Sequence, residues 1–227
     1  MNNIAPEQDE TARINALKRY EILDTPTDGS FERMTRLATK MFNVPIAIIS
    51  LVDHDRIWFK SRYGLDAMQI GRDPGLCASA ILSDEIYIVE DARNDPRTLA
   101  NPLVAGEFGL RFYAAAPLQT HDGHNLGTFC LIDKKQRYMT EQQKEMLQEM
   151  AAIAMDEIEI RLEARKSARH MVELLNDTLL NLRETSRAVT KLPAANKTSE
   201  LNSLVSDAAK IITNIENTLA EQRKIEL

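Results

Sequence analysis

Pro45-Ile46-Ala47-Ile48-Ile49-Ser50-Leu51-Val52-Asp53, followed after His54-Asp55 by Arg56-Ile57-Trp58-Phe59-Lys60-Ser61, decides how the rest of the chain is read. Its first run is rich in isoleucine and closes on the acidic turn Asp53-His54-Asp55. β-branched side chains suit a pleated strand, and a short unbroken apolar run reads as a buried one. Ile57 to Tyr63 returns as its hairpin partner. Outward toward the N-terminus, Ser30 is placed to cap a helix carrying Phe31, Met34, Leu37, Ala38, Met41 and Phe42, which Asn43 ends before Pro45. The turn cluster Asp24-Thr25-Pro26-Thr27-Asp28-Gly29 separates it from a short helix over Glu10 to Ile22. Outward toward the C-terminus come a short helix over Leu76 to Leu82 and a strand over Ile86 to Glu90. A long irregular stretch follows, Asp91 to Gly109, and then strands over Arg111 to Gln119 and Asn125 to Ile132. Thr140 caps a long helix. The expected fold is α+β: one antiparallel sheet of five strands with helices on one face, then a long C-terminal helix and a helical hairpin.

Composition divides the 227 residues. All eight glycines lie between Gly29 and Gly127 and all aromatics between Tyr20 and Tyr138, whereas Met139 to Leu227 has neither and a single proline, Pro193. Turns need glycine and cores usually use aromatic bulk, so the second part reads as extended helix. The formal charge is -6 with no basic block, which disfavours nucleic acid, whose phosphates are bound by Lys and Arg. No apolar run approaches a membrane span, and the N-terminus lacks the pattern of a secretory signal. Cys77 and Cys130 form neither a disulfide framework nor a metal cluster. These features predict a cytoplasmic protein.

Several short motifs in order carry a resemblance. The hairpin above, Leu76-Cys77-Ala78-Ser79-Ala80-Ile81, Asp91-Ala92-Arg93-Asn94-Asp95-Pro96-Arg97, Asn101-Pro102-Leu103-Val104, Arg111 to Leu118 and Gly127 to Asp133 together resemble GAF domains. The opening Arg13-Ile14-Asn15-Ala16-Leu17 and Tyr20 to Thr25 also belong to the pattern, which covers roughly residues 11 to 160. The expected organisation is a tail at 1–10, a GAF domain at 11–160 and a helical hairpin at 161–227. The resemblance implies a sensory module of the kind joined to histidine kinases, cyclic-dinucleotide enzymes or phosphatases. It also implies a pocket between the sheet and the irregular segment, lined by Trp58, Cys77, Ser79, Asp91, Asn101, Arg111 and Tyr113. There a small organic anion would pair with Arg111 and hydrogen-bond to Ser79 or Asn101, with Trp58 and Tyr113 as apolar contacts. The alternative is a filled pocket whose polar residues pin the loop.

Chemistry is sparse elsewhere. Some GAF proteins attach a linear tetrapyrrole to a cysteine with a histidine beside it, but Ala78 follows Cys77, which suits a small packed side chain. Cys130 lies in an apolar strand. His54, His121 and His124 sit in turns, where polar residues are expected, and no metal site is assigned. Neither a nucleophile–base motif, a phosphate loop nor the cyclic-nucleotide motif of the family is found, so no cofactor and no catalytic residue are named.

The tail carries heptad stripes. Leu147, Ala151, Ala154, Ile158 and Leu162 suit packing on the sheet or on a partner's copy. Beyond a basic patch at Arg161 to Arg169, Val172, Leu175, Leu179, Leu182, Ser186 and Val189 recur at alternating steps of three and four. A loop is expected over Leu192 to Lys197, then a helix capped by Thr198 or Ser199 with Leu201, Leu204, Ala208, Ile211 and Ile215. Extra apolar positions, Leu174, Val205 and Ile212, exceed what one helix pair can bury, so two hairpins are expected to join as a four-helix bundle. The positions assigned to dimerisation are Leu175, Leu179, Leu182, Val189, Leu204, Ala208, Ile211 and Ile215. The hairpin resembles the dimerisation and phosphoacceptor hairpin of histidine kinases, but Met171 stands where an acidic residue would follow the acceptor, which disfavours phosphotransfer through His170. The expected function is that of a non-enzymatic, homodimeric sensor that binds a small ligand or a partner. The alternatives are a ligand-free scaffold docking a signalling protein such as a kinase, response regulator or cyclase, and a degenerate phosphotransfer hairpin.

Overall fold

A computed structural model describes residues 10–27, 29–191 and 198–225. The expected N-terminal tail and the loop over Leu192 to Lys197, with Pro193, lie outside the described residues, as does Asp28. The chain divides into two units, Met1–Leu162 and Glu163–Leu227. The first holds α1 (Glu10–Arg19), α2 (Gly29–Phe42), β1 (Ile46–Val52), β2 (Arg56–Tyr63), β3 (Gln69–Gly71), α3 (Leu76–Ala80), β4 (Tyr87–Val89), α4 (Pro102–Ala105), β5 (Phe112–Gln119) and β6 (Asn125–Asp133). The long α5 (Glu141–Thr190) begins in this unit, and α6 (Ser199–Ile225) belongs to the second.

The six strands form one antiparallel sheet in the order β3-β2-β1-β6-β5-β4. Its centre is the β1–β6 pair, with Ile49 opposite Phe129 and Leu51 opposite Gly127. Every residue of both central strands is buried, so both faces of the sheet are covered. On one face Ala47, Ile49, Leu51, Phe112, Phe129 and Leu131 pack with Leu17, Phe31, Ala38 and the α5 residues Leu147, Ala151, Ala154 and Ile158. On the other, Ile48, Phe59, Tyr113, Cys130 and Ile132 pack with Leu76, Cys77, Ala80 and Val104. Helices α1, α2 and the start of α5 therefore share one face, as expected, but the second face carries short α3 and α4. Three-residue β3 and four-residue α4 are too brief for periodicity to reveal them.

Local departures from the sequence expectation have local causes. Helix α1 stops at Arg19, and Glu21 and Asp24 adopt left-handed backbone with φ 46° and 59°. Helix α2 begins at Gly29, so Ser30 is inside it, where its hydroxyl accepts from Arg33 Nη2 at 3.2 Å. Its buried stripe runs through Phe31, Thr35, Ala38 and Phe42, which leaves Leu37 and Met41 exposed. Thr35 is drawn inward because its hydroxyl meets Ser61 Oγ at 2.9 Å. Asn43 ends the helix at φ 51°. At the start of α5, Gln143 N donates to Thr140 Oγ1 at 3.2 Å and Thr140 N to Gln143 Oε1 at 3.0 Å, a reciprocal capping box.

Arg13 is buried and its guanidinium donates to Glu10 at 2.8 and 2.9 Å, while Arg72 Nη1 reaches the same carboxylate at 2.6 Å. The Arg13 hydrogen bond, and then that of Arg72, hold Glu10 at about 2, against the burial that raises it. A depressed carboxylate stabilises the fold above its unfolded value of 4.5 and loses that contribution as pH falls toward 2. With the carboxylate about half exposed, screening leaves the effect at about 1 kcal/mol. Urea unfolding of wild type and Glu10→Gln is expected to differ by that amount at pH 7, with the gap shrinking below pH 4.5 and closing only near pH 2. A gap unchanged at pH 3 would contradict the ion-pair origin.

In the second unit, Leu179 and Leu219 are buried, Arg183 pairs with Glu216, and Leu182, Val189, Leu201 and Val205 border a narrow apolar groove of about 160 Å³. Thr198 caps α6 through Leu201 N at 3.2 Å. Leu175, Ala208 and Ile215 are half-buried, as are Val205 and Ile212, whereas Leu204 is 65% and Ile211 48% exposed. On α6 the more buried apolar positions are Leu201, Val205, Ala208, Ile212, Ile215 and Leu219, so Leu204 and Ile211 are the two members of the expected stripe left exposed in the single chain.

Candidate functional site

A cavity of about 190 Å³ lies between the second sheet face and the segment carrying α3 and α4. Its walls come from strand alternation. Ile48 of β1, Phe59 of β2, Tyr113 of β5 and Ile132 of β6 all point to this face, and Leu76 and Cys77 descend onto it from α3. Leu65, Ala67, Ile70, Leu103 and Phe108 are half-buried around the same space. Lys134 Nζ stands 5.4 Å over the Phe108 ring.

The polar groups here are few and mutually engaged. Tyr113 Oη lies 3.2 Å from Cys77 Sγ, and the Tyr87 ring meets Tyr113 edge-on at 6.1 Å. Ser50 and Thr128, paired across β1 and β6, share a hydroxyl contact of 2.9 Å. Hydrogen bonding from Cys130, then from Ser50, Tyr113 and Thr128, draws the Cys77 thiol below the usual range despite its burial. Cys130 is pushed up, chiefly by its hydrogen bond to Cys77, and Tyr113 chiefly by burial. Sequence spacing did not link the two cysteines; the packing of α3 on the sheet does.

Of the seven candidate pocket residues, Cys77 and Tyr113 line the cavity. Trp58 does not: strand alternation sends it to the opposite face, where Lys60 Nζ sits 5.8 Å from its ring, and Phe59 faces the cavity instead. Ser79, two residues after Cys77 on α3, is carried around the helix to the exposed side. Asp91 closes its own turn, accepting from Arg93 N at 3.2 Å and Asn94 Nδ2 at 2.7 Å, beside a separate open polar groove of about 540 Å³. Asn101 caps α4 through Leu103 N at 2.9 Å and donates to Pro74 O at 2.7 Å. Arg111 donates to the carbonyls of Val104 at 3.3 Å and Leu110 at 2.7 Å. Asp91, Asn101 and Arg111 thus bond within the loop segment and, like Ser79, do not line the cavity. The lining residues missing from the sequence reading, Phe59, Ile70, Leu103 and Phe108 among them, are plain apolar side chains. For Phe59 the signal was the alternation within β2, whereas Ile70 of three-residue β3, Leu103 of α4 and Phe108 in the loop beyond it carried no periodic signal.

His121 Nε2 meets Glu159 at 2.7 Å, and His124 lies 4.0 Å from Asp122. Among the described residues no group of three His, Cys, Asp or Glu could hold a metal, and no helix is long and apolar enough to cross a membrane. His170 is 71% exposed, 3.9 Å from Glu173. A four-ring linear tetrapyrrole is far too large for the 190 Å³ cavity, so the residues present do not fit that group.

Residues 26–158 match the family model described as the GAF domain. A cyclic di-GMP phosphodiesterase of Pseudomonas aeruginosa is 41% identical over 152 residues, 66% of this chain and 26% of that protein, so the chain spans about a quarter of this relative's length. The GAF domain of an Acinetobacter phosphoenolpyruvate-protein phosphotransferase is similar in structure at TM-score 0.50 and 18% identity, covering 70% of this chain and 94% of that one. The blue-light absorbing form of the Thermosynechococcus elongatus PixJ GAF domain is similar at TM-score 0.51 and 14% identity, covering 67% and 92%. At such identities the two structures show the fold alone.

Proposed function

Because the chain belongs to the GAF domain family of signalling and sensory modules, we propose that it is a non-enzymatic cytoplasmic sensor. Its head takes a small ligand, and its hairpin passes the change on as a homodimer. The observation that carries this is the double use of the central strands. Ile48, Tyr113 and Ile132 face the cavity, while their neighbours Ile49, Phe112 and Leu131 pack in the core that holds Leu147, Ala151, Ala154 and Ile158 of α5. A shift of the sheet on occupancy is therefore felt by the helix that continues to Thr190. Occupancy transmits only if the ligand has different affinities for the two packings of the helices. The phosphodiesterase relative carries its matching segment inside a much longer protein, which supports a regulatory place beside a signalling output.

Hydrogen exchange in the full chain tests the coupling. Ala67→Phe at the cavity's edge imitates occupancy and is expected to change amide protection across Leu201 to Leu219 by at least about threefold. Identical exchange of those amides, with the head's own amides altered, would remove the sensory reading.

A further inference from the structure

We propose that the cavity binds a small neutral apolar molecule, the size of one six-membered ring with a short substituent, rather than the organic anion that Arg111 suggests in the sequence; this deepens the sensory function proposed above and rests on it. Size sets the first limit. A dry engineered cavity of about 150 Å³ lined by aliphatic and aromatic side chains accepts benzene, and this one measures about 190 Å³. Charge sets the second. A carboxylate taken out of water needs a countercharge, and the Arg111 guanidinium is turned to the carbonyls of Val104 and Leu110 and is absent from the lining. Asn101 is likewise engaged by α4 and Pro74. Polarity sets the third. The side-chain heteroatoms of the lining residues are Tyr113 Oη and Cys77 Sγ, which satisfy one another at 3.2 Å. A stable water needs two to four polar partners, and this lining does not supply them. What remains is an apolar site whose half-buried edge at Leu65, Ala67, Leu103 and Phe108 admits a compact guest.

Toluene and benzoate, one ring with and without a charge, are the probes. In the full chain with labelled isoleucine methyls, toluene is expected to shift the Ile48 and Ile132 signals saturably with a Kd below about 1 mM. Benzoate at tenfold higher concentration is expected to leave them in place. Ala67→Phe at the edge and Ile132→Phe on the floor are each expected to weaken toluene at least about tenfold. The proposal is overturned if benzoate shifts the same methyls as tightly as toluene, if toluene reaches its solubility limit without shifting them, or if both filled variants bind toluene unchanged. The wild-type comparison stands even where a filled variant fails to fold. The two proposals fail separately. Toluene bound in the cavity with unaltered exchange in α6 would remove the sensory reading alone. Benzoate bound there with altered exchange would remove the apolar-ligand inference alone.

Discussion

Gly127→Ala is expected to destabilise the head by about 3 kcal/mol or more, a value at or beyond the upper end of ordinary overpacking. Gly127 stands in β6 opposite Leu51 of β1, at the centre of the sheet. A Cβ built there would lie 1.8 Å from Ser50 O, 2.7 Å from Ser50 C and 2.8 Å from Leu51 Cα. All three atoms are backbone of the neighbouring strand, so no rotamer change relieves the clash. The strands must part, and every residue of both is buried. Gly29→Ala is the control, because its Cβ would meet only the tip of Arg33 at 3.4 Å. Its effect is expected within about 0.5 kcal/mol. Urea denaturation of the two variants and wild type reads the difference. A Gly127→Ala protein as stable as the control would mean that β1 and β6 do not approach in this register.

Leu204→Glu combined with Ile211→Glu is expected to convert the proposed dimer to a monomer, raising its dissociation constant at least about a hundredfold, as uncompensated charge in a closed interface costs several kcal/mol. These two side chains are the choice because they are large, apolar and exposed in the single chain. Leu179, in contrast, is buried within the unit. Leu179→Glu would therefore attack the hairpin itself and could not separate folding from association. Sedimentation near 10 μM, with circular dichroism to verify retained helix, distinguishes the cases. Wild type sedimenting as a monomer, or the double variant remaining a dimer, would refute the bundle.

Five of the six strands and the long helices were legible in the amino-acid order because each carries a strong local signal, which three-residue β3 does not. Ile46–Val52 is bounded by Pro45 and Asp53 and coincides with the expected strand. Thr140 and the breaker-free run behind it likewise marked α5 at its start. The motifs that resemble GAF domains sat in order along the chain, and the family match over residues 26–158 agrees. Pocket membership was another matter. Cys77 and Tyr113 belong to it, but Trp58, Ser79, Asp91, Asn101 and Arg111 stand out in the sequence only as polar or aromatic residues, whereas the cavity is made of ordinary aliphatic and aromatic side chains.

What local order supplied, then, was the kind and sequence of elements; what packing alone supplied was the direction in which each side chain faces. Periodicity places residues relative to their own strand or helix. In β1 and β6, apolar on both faces, it carries no mark of which face meets α5 and which meets the cavity. On α6 the spacing likewise does not distinguish Val205 and Ile212, which are half-buried, from their neighbours Leu204 and Ile211, which are exposed in the single chain. Side-chain orientation across a buried element is decided by its neighbours, because burial on every side removes the polar–apolar contrast from which a face is read.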